Sequence, residues 1–521
     1  MILPSASTSG LWSVVTAVVL GILFLKLLTS RRKNLPPGPR GLPIIGALHL
    51  LGKYPAQDMA KLAKTYGPVM SLWFGQQLTV VASTPAAAEE ILKTQGANFS
   101  GRVKNSYSQI IFPEDVTFQC DTPARLHLKK ILHIQLNTAK QLKNTASLRA
   151  VEIAHMLRMI PQDGKTAVSV RNYVDVVVTN ILSFMILKKR FMAVGALHAG
   201  QGDELAELEQ VRQFRLLMEG IAKFSLENDY GDFIPIFKLI DIQGIRSRMW
   251  SIREQMDAFA SKIVFEHLEQ RKSCSLHEKD MVHVLLDQME DDTLGFKITN
   301  QMVSSAVWNA FSAGTDTAVH AVEWAISECM HNPNVMSKAQ AELDAVVGKS
   351  RRVEESDIPN LKYLHAICKE VFRLHPASPI LFPHWNKNAC MLFGYDIPAG
   401  TSVIVNVGAI ARDPGIWEDP LVFKPERFLE GMPHANTDVQ GHHFELLPFG
   451  TGRRQCPGIG LSLAMVHILT ATLLQGFDWS LPKDLRPEDL NMAEAEGILS
   501  VRAEPLRAIL KPRLSIPPIV N

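Results

Sequence analysis

The sequence predicts a mainly α-helical protein with small β-sheets, an α+β class built around one large domain. Three observations carry that reading. Helical periodicity runs through most of the chain, with residues 300–330 a long unbroken helix candidate and residues 363–374 another. Short strand-like runs gather in the N-terminal third and again after residue 390. Hydrophobic residues make up 46% of the 521 positions and charged residues 20%, the composition of a packed globule rather than a disordered chain.

In chain order, the first element is residues 11–28, LWSVVTAVVLGILFLKLL, apolar throughout except for Lys26. Eighteen helical residues span roughly 27 Å, close to the hydrocarbon thickness of a bilayer, and the Lys26 stem can carry its ammonium to the interface. Arg31, Arg32 and Lys33 follow at once, whereas residues 1–10 carry no charged side chain. The positive-inside rule then places the N-terminus outside or in a lumen and everything after residue 33 in the cytosol. A cleaved signal peptide needs a basic stretch before the apolar run and a small-residue cleavage site after it, and both are absent. The expectation is a single-pass membrane anchor in contact with lipid.

Residues 35–43 hold four prolines, which fix extended backbone and remove amide donors, so a stiff spacer is expected. No second linker, repeat or low-complexity run follows. The organisation is therefore an anchor at 1–30, a basic and proline-rich linker at 31–46, and one domain at 47–521. Within it, residues 69–83 read as two strands around a Gly75-Gln76-Gln77 turn, and residues 401–407 as a β-branched strand.

Charge and cysteine usage exclude several functions. Lys plus Arg number 54 against 52 Asp plus Glu, a net charge of +2 that gives no case for a nucleic-acid binder. The six cysteines, at 120, 274, 329, 368, 390 and 456, show no C-x-x-C and no regular spacing, so neither a disulfide framework nor a zinc site is expected. Chemistry at sulfur has to come from one cysteine.

That cysteine is Cys456, in the stretch FGTGRRQCPG at 449–458. A glycine-rich loop leads there into an apolar helix at 459–474, with Cys456 at its entrance. Amides at a helix N-terminus favour thiolate over thiol, and Arg453 and Arg454 add positive charge. Gly450, Gly452 and Gly458 let backbone approach a flat ligand closely.

The stretch matches F-x-x-G-x-R-x-C-x-G at every specified position and resembles the haem-binding signature of the cytochrome P-450 superfamily. The resemblance implies a haem b cofactor (iron protoporphyrin IX) in that family's fold, with Cys456 as the axial thiolate on the metal. Arg454 would pair with a haem propionate, and Phe449, Gly450 and Gly458 would line the porphyrin. Thiolate ligation pushes electron density onto iron and favours O–O cleavage.

Two further motifs fit the same family. Glu370 and Arg373 sit at i and i+3 on one helix face, where a solvent-exposed ion pair is the simplest reading. With Pro425-Glu426-Arg427-Phe428 downstream they resemble the family's E-x-x-R and P-E-R-F pair, which implies a structural lock of Glu370, Arg373 and Arg427. Ala313-Gly314-Thr315-Asp316-Thr317 places poor helix formers mid-helix, a local rule broken where function often lies. It resembles the family's oxygen groove, implying that Thr317 hydrogen-bonds dioxygen and Asp316 connects it to a proton supply. Ala318 follows where relatives commonly have Thr or Ser.

A larger departure lies at Arg125 and Lys129. Relatives carry Trp-x-x-x-Arg here, both contacting propionates; the charge is kept but the indole donor and planar fork are not. His384 is either a further propionate donor or a plain surface residue. Residues 122–150 include Arg125, Lys129, Lys130, Lys140, Lys143 and Arg149 but no acidic residue, a solvated face that the resemblance makes a docking side for an acidic flavoprotein.

The resemblance covers nearly the whole chain and is closest to microsomal plant-type members that hydroxylate phenylpropanoids, flavonoids and other secondary metabolites. It implies an endoplasmic reticulum monooxygenase facing the cytosol that inserts one atom of O2 into a small lipophilic or aromatic substrate. Electrons would come from NADPH through a NADPH-cytochrome reductase carrying FAD and FMN. The pocket would draw on residues 103–116, 304–314, 377–384 and 497–500, with Ala310, Phe311, Ile380, Leu381, Phe382 and Ile498 giving it an apolar character. Two alternatives stay open at this point: an O2-independent haem-thiolate rearrangement or dehydration enzyme, and a non-catalytic membrane haem sensor.

Overall fold

The structure, a computed structural model, describes residues 34–161, 163–191, 204–270, 279–482 and 485–514. The apolar segment at 11–28, the basic triplet at 31–33 and Cys274 lie outside the described residues.

Strand pairing joins the two ends of the chain. β1 (Val69–Phe74) and β2 (Gln77–Ala82) form an antiparallel hairpin around Gly75 and Gln76. β3 (Gly101–Arg102), β4 (His384–Trp385) and β5 (Ser402–Val405) complete a five-stranded sheet of order β1-β2-β5-β4-β3, with β2 and β5 parallel. Gly75 has φ +57°, and a Cβ there would lie 2.0 Å from the Phe233 carbonyl oxygen, so the turn tolerates glycine alone. A second sheet joins Ala167–Ser169, Phe477–Ser480 and Arg507–Pro512.

The proline-rich linker is not a free spacer. The Ser71 hydroxyl donates to Pro36 O at 2.7 Å and the Ser71 amide to Pro37 O at 2.9 Å, so the segment lies docked along β1. A prolyl run has carbonyl acceptors to offer but few amides, which suits a sheet edge with donors to satisfy.

The helices that position the site are α1 (Pro123–Asn137), α2 (Ala146–Met159), α3 (Val170–Leu187), α4 (Pro235–Ile240), α5 (Ile245–Gln270), α6 (Met281–Met289), α7 (Asn300–Gly314), α8 (Asp316–His331), α9 (Lys362–Leu374) and α10 (Ile459–Gly476). α1 starts as its sequence dictates: the Thr122 side chain accepts from the Arg125 amide, and Pro123 fills the first position. Thr299 caps α7 in the same way through Met302. α8 packs against α3, α9 and α10 at the centre of the main core. α3 and α10 are apolar and long enough to cross a membrane, but most of their surface is buried in this core.

The expected unbroken helix at 300–330 is broken. A bend at Thr315 separates α7 from α8, and the Thr317 hydroxyl donates to Ala313 O at 2.8 Å, diverting a carbonyl of the helical ladder.

The Glu370–Arg373 pair is no solvent-exposed contact. Both residues are fully buried, and Arg373 grips Glu370 with two hydrogen bonds of 2.7 and 2.8 Å. Arg427 donates to the same carboxylate at 3.1 Å, and Arg373 also donates to the Ala411 and Pro420 carbonyls at 2.7 Å each. Both guanidinium groups lie near the buried Trp417 ring. The Glu370 oxygens and the nitrogens of both guanidinium groups are all hydrogen-bonded, the condition under which buried charge is tolerated, whereas Trp417 Nε1 has no partner.

Candidate active site

Backbone geometry shapes the cysteine loop. Gly450 and Gly452 have φ of +61° and +67°, a left-handed conformation that side chains rarely adopt, and a Cβ on Gly452 would sit 2.7 Å from Leu92 O. The Cys456 amide donates back to Phe449 O at 3.0 Å, closing the loop. Phe449 packs its ring against Phe372 of α9 at 5.2 Å, so the loop leans on the helix that carries Glu370 and Arg373. The Gly460 amide donates to Asn137 Oδ1, fixing the start of α10 to the end of α1.

The thiol itself departs from expectation. Burial raises its pKa, and the Gly458 amide and the Lys129 ammonium only partly oppose that rise. Desolvation outweighs the helix N-terminus here, so the loop by itself does not favour the thiolate.

Four cations converge beside the loop. Arg102, Arg125 and Arg454 have buried guanidinium groups, and Lys129 is half-buried. Only Asp115 and Asp121 face them. Arg125 pairs with Asp121 and donates to Val116 O, but its Nε has no hydrogen-bond partner; Asp121 Oδ2 accepts no hydrogen bond either, with the Arg453 and Lys387 cations at 3.6 and 3.9 Å. Lys129 donates to Arg453 O at 2.6 Å. Arg454, expected at a propionate, gives its donors to the carbonyls of Ser100, Val116, Thr117 and Gln119. Burial and mutual repulsion lower Arg102 to about 9, Lys129 to about 8 and Arg454 to about 10.

His384 is buried in β4, which overturns the surface reading. Its Nδ1 bonds Phe99 O at 2.8 Å and so carries hydrogen, while burial, with Arg102 and Arg454 nearby, keeps the ring neutral. Phe311 likewise lies in an aromatic core with Phe214 and Trp308 rather than along a pocket wall.

Residues 115–118 connect the cysteine loop to α7. Their carbonyls hold Arg454, while Asp115 Oδ2 accepts from Asn309 Nδ2 at 2.8 Å and Thr117 Oγ1 donates to Asn309 Oδ1 at 3.1 Å. Burial pushes the Asp115 carboxyl up to about 6. At the α7–α8 bend, burial and the Asp175 carboxylate push Asp316 up to about 6 as well. The structure thus brings Asp316 and Thr317 to one bend, and Cys456, Arg454, Arg125 and Lys129 to one cluster.

The residues fit an iron porphyrin. Ala313 is exposed at the bend although Phe311 and Thr315 beside it are buried. A Cβ built on Gly458 meets nothing within 4 Å, and one on Gly450 reaches only the Leu381 side chain. With Arg453 and Lys387 also near Asp121, the cations outnumber Asp115 and Asp121, an excess of positive charge that suits the carboxylate edge of a porphyrin. Sequence reasoning missed Arg102, Asp115 and Asp121: Arg102 and Asp115 find partners far along the chain, at Phe382 and Asn309, while Asp121 meets Arg125 only four residues on.

The comparisons agree with this geometry. The cytochrome P450 family model matches residues 36–507. A flavonoid 3′,5′-hydroxylase of Solanum melongena is 38% identical over 96% of this chain and 95% of its own length. A flavonoid 3′-monooxygenase of Petunia hybrida is 40% identical, covering 92% of each. A solved zebra fish cytochrome P450 structure with progesterone superposes with a TM-score of 0.73 at 26% identity, covering 88% of this chain and 99% of that one.

Proposed function

The chain belongs to the cytochrome P450 family and is a haem-dependent monooxygenase, and on that premise we propose that it hydroxylates a ring carbon of a flavonoid, with Cys456 as the iron ligand. The observation that carries the substrate class is the set of relatives, flavonoid hydroxylases matched over nearly their full length. Local support comes from the rings of Tyr107, Phe112, Phe118 and Phe382, mutually packed at 5.3–6.1 Å between β3 and the loop before β4. A flat aromatic substrate suits such edge-to-face surroundings. Because the relatives are oxygenases, the O2-independent and non-catalytic readings are set aside.

Haem, when bound, supplies the activation of dioxygen and the transfer of one of its atoms. The protein's residues do the rest. Cys456 holds the metal, and the buried cations around Arg454 and Arg125 bind the carboxylate edge of the cofactor. Burial and the Asp175 carboxylate raise the Asp316 carboxyl to about 6, so it can take up and release a proton close to neutral pH, and the Thr317 hydroxyl stands one residue away to pass it on.

The anchor at 1–30, linker at 31–46 and domain from 47 form a chain held at the endoplasmic reticulum membrane, facing the cytosol. Support comes from one contiguous apolar side. Leu42 and Ile44 leave the linker exposed, and α4 and its following turn expose Ile236, Leu239, Ile240 and Ile242 by 62–84%. These two patches meet at the β1–β2 turn, where Gly75 N donates to Ile45 O and Gln76 N to Phe233 O. On the opposite account of charge, Lys130, Lys140, Lys143 and Arg453 remain exposed for an NADPH-cytochrome reductase. Arg125 and Arg149 do not join them: both are buried, Arg149 against Glu355.

The test uses full-length protein with an NADPH-dependent flavoprotein reductase and a flavonoid lacking the hydroxyl that the 3′-monooxygenase relatives install. A thiolate-type band of the ferrous carbonyl complex and a product gaining one oxygen atom are expected. The band without product from any flavonoid overturns the substrate, and folded haem protein without the band overturns Cys456. Reduction should also slow steeply with salt; indifference removes the charged docking face.

A further inference from the structure

Residues 111–119 run as turns, outside any helix or strand, and are fixed from two sides. On one side lies α7. The Ser305 hydroxyl donates to Pro113 O at 2.6 Å. One turn on, Asn309 uses both ends of its amide, donating to Asp115 Oδ2 at 2.8 Å and accepting from Thr117 Oγ1 at 3.1 Å. On the other side lie three buried arginines. Arg102 donates to Thr117 O at 3.1 Å, Arg125 to Val116 O at 3.3 Å, and Arg454 to the carbonyls of Val116, Thr117 and Gln119. The segment therefore meets α7 through its side chains and the cation cluster through its carbonyls.

Asp115 is fully buried and Asn309 nearly so. Asp115 also accepts the Thr117 and Phe118 amides at 3.0 and 2.8 Å, a turn that folds the segment and sets the Phe118 ring among Tyr107, Phe112 and Phe382. Glu114, between the residues that α7 grips, has φ +59°, a conformation rare outside glycine. Such backbone persists where its surroundings impose it, and here the bonds from Ser305 and Asn309 do so.

We propose that Asn309 is a positioning residue that decides which substrate carbon is oxidised: by clasping Asp115 and Thr117 it sets the Phe118 wall of the aromatic cluster and, through the same segment, the carbonyls that orient Arg102 and Arg454. The proposal rests on the readings of that cluster as the flavonoid site and of the arginines as holding the cofactor's carboxylate edge. Asn309 acts without touching substrate, because both ends of its amide are spent on the segment. A wall displaced by on the order of 1 Å presents a different ring carbon for reaction.

N309L, branched at the same carbon, removes both bonds. The N309L holoenzyme should bind flavonoid roughly five- to tenfold more weakly in spectral titration, place oxygen on more than one ring position, and lose haem to apomyoglobin faster. F118L should alter binding and product pattern but keep the wild-type rate of haem transfer. N309D sets a second carboxyl against Asp115, with Arg102, Arg454 and Tyr107 as the other titratable groups nearby. Below about pH 6 one shared proton keeps the clasp and the product pattern should match wild type, whereas above about pH 8 two anions repel and it should match N309L. A change of side-chain volume alone gives no such crossover. T117V loses one bond only and should show smaller changes in the same direction; it carries the test if N309L fails to load haem. A wild-type product pattern or wild-type haem transfer in N309L overturns the proposal. So does N309D behaving alike at both pH values, or F118L losing haem as fast as N309L. If wild type shows no spectral shift with any flavonoid, the substrate reading falls, and haem transfer in N309L and T117V still decides the clasp.

Discussion

Lys129 donates from its ammonium to the backbone carbonyl of Arg453 at 2.6 Å, tying the middle of α1 to the loop that presents Cys456. A half-buried charge is held there by a single carbonyl in a field of arginines, and its neighbours lower its hold on the proton. Changing Lys129 to Met should loosen the loop by about 1.5–3 kcal/mol, the usual range for hydrogen bonds to charged groups. The check is the rate of haem transfer to apomyoglobin, expected to rise; an unchanged rate would show the tie to be idle.

Glu370 serves two arginines at once, so removing its charge strands both. Glu370→Gln should cost about 3–5 kcal/mol, since breaking a buried pair leaves an uncompensated ion. Little haem-loaded protein should accumulate. Thermal unfolding within a degree or two of wild type would contradict the burial of this cluster.

Thr317→Ala should keep haem bound but release more hydrogen peroxide per NADPH consumed. The hydroxyl that holds the bend open against Ala313 O is lost together with the proton donor. Product yield per NADPH equal to wild type would remove Thr317 from the proposed role.

A pH effect on stability should come from α5 and α6, where His267 Nε2 meets Asp280 Oδ2 at 2.9 Å in a buried pair. Burial opposes the imidazolium, but the Asp280 carboxylate outweighs it and His267 is raised. A raised histidine stabilises the fold fully below its unfolded value of about 6.5, and that stabilisation is lost as pH rises through the higher folded value. Unfolding midpoints measured from about pH 6 upward should fall more steeply in wild type than in His267→Gln. Parallel curves would mean the pair carries no proton.

The apolar side around α4 should bind lipid without the N-terminal segment. Protein lacking residues 1–33 should still sediment with liposomes, and Leu239→Asp with Ile240→Asp should release it, because each side chain now exposes 62–84% of its surface. Liposome binding unaffected by the pair would locate attachment elsewhere.

Much of this was legible from local pattern. The strand-turn-strand at 69–82, the helix at 362–374 and the cysteine loop with its following helix each depend on short-range chemistry: alternation, periodicity, and glycine where side chains cannot go. The helix at 300–331 was misread as continuous because its break is a competition between one hydroxyl and the helical ladder, decided by a bend of one residue. His384 could be read either way until its strand was paired, since burial belongs to neighbours and not to the residue.

The sequence by itself marked Cys456 as the candidate metal ligand and Asp316–Thr317 as the candidate oxygen-facing motif, because those tasks require particular side chains at fixed short spacings. Tertiary structure alone decided how the charges are spent. Asp121 and Asp115 answer cations drawn from the strand at 101–102, from α1 and from the cysteine loop, which packing alone brings together. Electrostatic energy depends on distance and burial in space, and neither is a property of position along the chain.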